Sequence, residues 1–179
     1  MKGYCLNRLI KGIIITVKES DFVSFFKKYS LDLFSFSYIY VPDQLQAEQV
    51  VVDSILAVSL KEKELIDKLV KIPSTGFNDA KRLNGKLQIL LYSKVASLGK
   101  TRSQQLNGSV SDQSGMKSKY SDFYSLGLDR REVIFLKDSA GKSIEDISKI
   151  LGKSEYEVMA ILAGTRDTLV NASSHLQGF

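Results

Sequence analysis

The stretch that most constrains this chain runs from Leu128 to Leu169. Apolar residues fall there in two short runs at helical spacing. Ile144, Ile147, Ile150 and Leu151 form the first, and Val158, Ile161, Leu162, Thr165 and Leu169 the second. Between them stands Leu151-Gly152-Lys153-Ser154. Ser143 and Ser154 each occupy a helix N-cap position, backed by Asp146 and Glu157. Glycine admits the left-handed backbone that closes a helix. The pattern predicts two helices meeting at a tight corner, a helix-turn-helix. A scaffold helix carrying Leu126, Leu128, Val133, Ile134 and Leu136 precedes it and is punctuated by Gly141. One feature conflicts with a nucleic-acid role for the corner. Its second helix opens on Glu155 and Glu157, where free amides would otherwise receive a phosphate.

The rest of the chain is also helical in pattern. Phe22 to Val41 carries Phe22, Phe25, Phe26, Tyr29, Leu33, Phe36 and Ile39-Tyr40 on one stripe, which reads as core. Pro42-Asp43 breaks it. Gln44 to Lys71 reads as one or two helices, with Ala47, Val50, Val51, Ser54, Ile55 and Val58 inward. Phe77 to about Gln105 forms a long helix on Leu83, Leu87, Leu90, Leu91, Val95 and Leu98, which Gly99 is expected to weaken or end. Gln104 to Ser121 is rich in Ser, Gly, Asn and Gln and reads as a flexible linker. The expected fold is therefore all-α. A three-to-four-helix bundle fills residues 1–105, a linker follows at 106–119, and a helix-turn-helix domain occupies 120–179. The tail from Asn171 to Phe179 is expected to be unanchored.

Composition removes several function classes. The only cysteine, Cys5, excludes an internal disulfide and fits a reducing cytoplasm. The only histidine, His175, leaves no Cys/His metal set and no catalytic pair, so neither an enzyme nor a metal site is expected. Gly12 to Val17 is too short to span a bilayer, and Leu6 to Val17 lacks a cleavage pattern. It reads as a buried strand or first helix. Charge is uneven. Residues 1–106 hold 16 Lys/Arg against 10 Asp/Glu, whereas residues 107–179 hold 9 against 10. A basic first half suits contact with a polyanion.

Leu128-Asp129-Arg130-Arg131-Glu132-Val133-Ile134-Phe135-Leu136, followed by Gly141 to Ser154 with Val158, Arg166 and Leu169, resembles the C-terminal DNA-binding domain of bacterial sigma factors. Gln46 to Leu56 is similar to the helix that docks a sigma factor on the polymerase clamp. The two matches stand in the family's order, and the size is that of the extracytoplasmic-function type. The resemblance implies a cytoplasmic, non-enzymatic initiation factor without cofactor. Its implied partners are core RNA polymerase, promoter DNA and an anti-sigma protein.

On that resemblance, Gln46, Glu48, Gln49 and Asp53 are the polymerase-docking residues, with two of the family's acids replaced by glutamine. Lys81, Arg82, Lys86, Lys94, Lys100 and Arg102 are the cations of the promoter-melting helix, where Asp79 is the one acid. A solvated basic face is the plainer alternative. In the helix-turn-helix, Lys149, Lys153, Ser154, Tyr156 and Arg166 are the DNA candidates. The family's cations at the start of its last helix are missing, since Glu157-Val158-Met159-Ala160-Ile161 stands there. A second expectation follows: a sigma-like interaction module with little DNA binding, which sequesters an anti-sigma protein or acts as an adaptor.

Overall fold

The computed structural model describes residues 19–71, 77–106 and 121–175. Every regular element among them is helical, and none is a strand. The apolar start, Leu6 to Val17, and most of the polar stretch (residues 107–120) lie outside the described residues, as do the side chains of Phe22, Phe25, Phe26 and Leu169.

Helix α1 spans Glu19–Tyr38 and α2 spans Gln44–Lys61. The first stops short of Val41 because a residue preceding proline is driven away from the helical region. Asp43 then starts α2, its carboxylate accepting the Gln46 amide N–H at 2.9 Å. The face of α2 read as inward is buried from Ala47 to Val58. A short α3, Lys63–Lys71, adds buried Leu65 and Ile66.

Helix α4, Phe77–Leu106, runs unbroken through Gly99, contrary to the expectation that this glycine would weaken or end it. Gly99 is there for space. A Cβ at that position would lie 2.7 Å from the Tyr40 ring, so the glycine lets α1 and α4 approach. That packing outweighs a propensity cost of about 1 kcal/mol.

The second half starts with α5 (Ser121–Ser125) and α6 (Leu128–Ile134). Leu126, expected on a continuous scaffold helix, falls in the break between them and is still buried. A single wide π-turn, Phe135–Ser139, extends α6 and sets Leu136 fully inside. Gly141, at φ +62°, turns the chain into α7 (Ile144–Leu151). Helix α8 covers Glu155–His175. It therefore continues past Val170 into the segment expected to be an unanchored tail, whose side chains and last four residues lie outside the described ones.

The two halves share one apolar core. Phe36, fully buried, meets Tyr40 edge-on at 5.3 Å and Tyr92 at 5.3 Å, and also lies 5.5 Å from Phe135 of the second half. Helix α7 lies along α4.

Candidate functional site

The corner between α7 and α8 is built as its residues require. Ser143 Oγ accepts the Asp146 N–H at 3.0 Å. Gly152 takes the left-handed conformation, φ 65° and ψ 32°, and donates to the Ser148 carbonyl. Ser154 Oγ accepts the Glu157 N–H at 3.2 Å, and Glu157 in turn accepts from the Ser154 N–H and hydroxyl at 2.7 Å each. This is a complete capping box. Those hydrogen bonds from the Ser154 hydroxyl and amide hold the Glu157 carboxyl below its ordinary range. At the start of α8 the Ser154 amide is thus answered by a carboxylate and the Glu157 amide by a hydroxyl.

The cations expected at this corner are paired within the chain. Lys149 pairs with Glu145, Lys153 with Asp129 at 3.4 Å, and Arg166 with Asp138 at 3.4 Å. Glu145 also raises the Lys149 ammonium through its hydrogen bond. Ser154 is engaged by Glu157. Tyr156 stands out at 78% exposure, beside exposed Met159. Val158 and Leu162 are buried on the opposite side.

The six cations of α4 divide by position. Lys81, Arg82 and Lys86 are exposed near its start, with Arg82 in a loose pair with Asp79 at 3.7 Å. Lys94 and Arg102 are half-buried. Lys100 is committed to a contact that sequence reading missed. Its Nζ lies 2.8 Å from Oε1 of Glu132, a residue of α6 with no solvent exposure. The same oxygen accepts the Tyr40 hydroxyl at 2.7 Å, while Oε2 is buried without a hydrogen-bond partner.

Arg131, next to Glu132, caps the end of the α1 region. Its Nη1 donates to the Ile39 carbonyl at 2.8 Å, and its guanidinium lies 5.4 Å from the Tyr124 ring centre. Tyr124 donates to the Tyr38 carbonyl at 3.4 Å. Carbonyls at a helix end lack internal partners, and here the second half supplies them. Burial lowers the Arg131 guanidinium and raises the Tyr40 hydroxyl, the latter helped by Glu132. Further along, the Lys142 ammonium binds Gln88 of α4 and covers the Tyr92 ring at 4.9 Å. The signal for Glu132 was present in the sequence, as a charge one helical turn from both Leu128 and Leu136 on the apolar stripe.

On α2, Gln49 is exposed and Gln46, Glu48 and Asp53 are partly so, all off the buried face. Glu48 accepts from Gln44 at 3.1 Å, and Asp53 from Gln49 at 2.8 Å. The structure does not bring these residues together with the cations of the α7–α8 corner at one site. Among the described residues there is no cluster of His, Cys, Asp and Glu able to hold a metal ion, and no helix long and apolar enough to cross a membrane.

Among solved structures, the chain is similar to the sigma factor RpoE of Bartonella quintana, determined with the anti-sigma factor NepR. The TM-score is 0.52 over 82% of this chain and 94% of that one, at 19% identity. The fold is sigma-factor-like. No family model matches the chain, and no curated protein matches its sequence. The likeness spans most of this chain.

Proposed function

We propose that this chain is a sigma-like transcription factor of the extracytoplasmic-function type, working in the cytoplasm on core RNA polymerase and promoter DNA. Residues 1–105 act as the polymerase-docking and promoter-melting unit and residues 120–179 as a helix-turn-helix unit, tethered through 106–119. One observation carries this reading: the fold likeness extends across most of both chains, so it rests on the combination of halves rather than on a common small motif. The partly exposed Gln46, Glu48, Gln49 and Asp53 support docking on polymerase cations, since charge-assisted hydrogen bonds are stronger than neutral ones. Exposed Lys81, Arg82 and Lys86, with half-buried Lys94 and Arg102 further along, support contact with a displaced strand, whereas Lys100 is held by Glu132.

A second reading is favoured by the charge pairing at the corner. Lys149, Lys153 and Arg166 are each bound to an acid, and Glu157 fills the α8 N-terminus. Salt-dependent affinity for DNA scales with the number of phosphates a protein neutralises, and cations already paired neutralise fewer of them. On this reading the chain is a sigma-like interaction module that binds an anti-sigma protein and little DNA.

Purified core polymerase, challenged with the chain and promoter fragments, decides between them. Capture of core together with promoter-dependent run-off transcripts supports the first. Neither capture nor transcripts, with a stable anti-sigma complex, supports the second and overturns the first.

A further inference from the structure

Helix α8 carries two seams. Val158, Leu162 and Thr165 are buried against the rest of its half. A second stripe, Tyr156, Met159, Ala163 and Arg166, is exposed along its whole length. Steps of three, four and three residues keep these positions on one face, the repeat by which two helices pair. Tyr156 and Met159 are large side chains left in water, at 78% and 51% exposure. Glu155 is exposed and has no ion pair among the described residues. It stands eleven residues before Arg166, about three helical turns, so the two share one flank of the stripe. Arg166 touches Asp138 at 3.4 Å while more than half of its side chain stays exposed, which leaves the guanidinium room for a further partner.

We propose that α8 pairs antiparallel with α8 of a second copy of this chain through the outer stripe. Charge complementarity selects that occupant. With Met159 opposite Ala163 of the second copy, a large side chain meets a small one. Tyr156 then falls opposite Arg166 of the second copy, where a guanidinium is attracted to the ring face. Glu155 falls beside the same guanidinium. The two-fold relation repeats every contact at the other end, so each copy supplies both members of each pair. A parallel pair would set Glu155 against Glu155 and Arg166 against Arg166. A partner of one charge sign would match one end of the stripe and repel the other. A single crossing of two helices is a small interface, so the association is weak, in the micromolar range. The proposal goes beyond the function above. A helix-turn-helix lays its second helix in the major groove, so on the first reading the monomer presents α8 to promoter DNA and the pair withholds it. The pairing itself does not depend on that reading.

Sedimentation velocity of the full chain across the micromolar range reads the pairing, and the expected result is a monomer–dimer equilibrium. Met159→Glu puts an unpaired carboxylate at the centre of the stripe and should weaken association roughly tenfold or more while the circular-dichroism melting curve is kept. Glu155→Arg alone, or Arg166→Glu alone, makes both ends repulsive and should weaken it roughly fivefold. An equimolar mixture of those two variants restores an Arg–Glu contact at each end, so it should associate as the parent does. This rescue is specific to the antiparallel arrangement. The proposal is overturned if the chain stays monomeric throughout, whether the stripe is bare or covered by residues 1–18. It is equally overturned if a dimer forms that Met159→Glu leaves intact, or if the mixed variants associate no better than either one alone. Polymerase capture is scored separately on the unaltered chain, so failure of the pairing and failure of the sigma-like function read differently.

Discussion

The Glu132–Lys100 pair predicts an unusual order of mutational costs. Glu132 is wholly buried, whereas the Lys100 side chain keeps 36% of its exposure. Removing the carboxylate therefore leaves a cation that can turn into water. It also takes the negative charge off Oε2, which has no hydrogen-bond partner. The main damage left in Glu132→Gln is an altered partner for the Tyr40 hydroxyl, and an unsatisfied buried polar group costs about 1–3 kcal/mol. Removing the ammonium does the opposite. Lys100→Met strands a carboxylate in the interior with only the Tyr40 hydroxyl to solvate it, and breaking a buried pair in this way costs about 3–5 kcal/mol. Lys100→Met, the change at the more exposed residue, should thus destabilise more than Glu132→Gln.

Urea unfolding followed by circular dichroism measures both, with stability read from the midpoint at unchanged slope. The triple replacement Tyr40→Phe, Lys100→Met and Glu132→Met should recover most of the loss, since buried ion pairs are often matched by apolar residues of similar volume. If Lys100→Met costs no more than Glu132→Gln, or if both fall within about 0.5 kcal/mol of the parent as ordinary surface changes do, the buried-charge reasoning is wrong.

Further outcomes are expected. Gly99→Ala should destabilise by about 1–3 kcal/mol through overpacking against the Tyr40 ring, despite alanine's better helix propensity, and a thermal melt above the parent's would refute this. Asp129→Asn with Asp138→Asn releases Lys153 and Arg166, so duplex affinity should rise and its dependence on salt should steepen, as fluorescence titrations at two ionic strengths would reveal. The folded pKa of Glu157 lies below the ordinary glutamate value, so its contribution to stability is present above that ordinary value and is lost as pH falls through the lowered one. An NMR carboxyl titration should place Glu157 below ordinary glutamates, and Ser154→Ala should return it upward; an unmoved titration would count against the capping box.

Much of this fold was legible because it follows from local rules. The stripes on α1, α2 and α4, the Ser143 and Ser154 caps and the Gly152 turn each depend on residues within one or two helical turns. What escaped depends on partners distant in sequence. Gly99 reads as a helix breaker until the Tyr40 ring stands over it. Lys100 reads as a cation for nucleic acid until Glu132 reaches it from the other half. The positive surface of the corner was partly misleading for the same reason, because Asp129 and Asp138 lie on the preceding helical segment rather than beside Lys153 and Arg166 in sequence. A charge count along one helix is blind to neutralisation across helices.

The placement of the seam's polar groups also explains why charge is tolerated there. Apolar contacts such as Phe36 with Phe135 are non-directional, so they would accept the second half at several rotations and offsets. The polar contacts would not. Consecutive residues Arg131 and Glu132 meet consecutive residues Ile39 and Tyr40, one through a carbonyl and the other through a hydroxyl. Sliding α6 by a single helical turn, about 5.4 Å, would leave the carboxylate buried and unpaired and the end of the α1 region uncapped. Buried polar groups that fix register at some cost in stability are known in coiled coils. The Arg131–Glu132 pair fits the same logic, so the apolar replacement of Tyr40, Lys100 and Glu132 should preserve stability while loosening the seam. Broader inter-half distance distributions by paired spin labels would show this loosening, and a distribution as narrow as the parent's would assign register to packing alone.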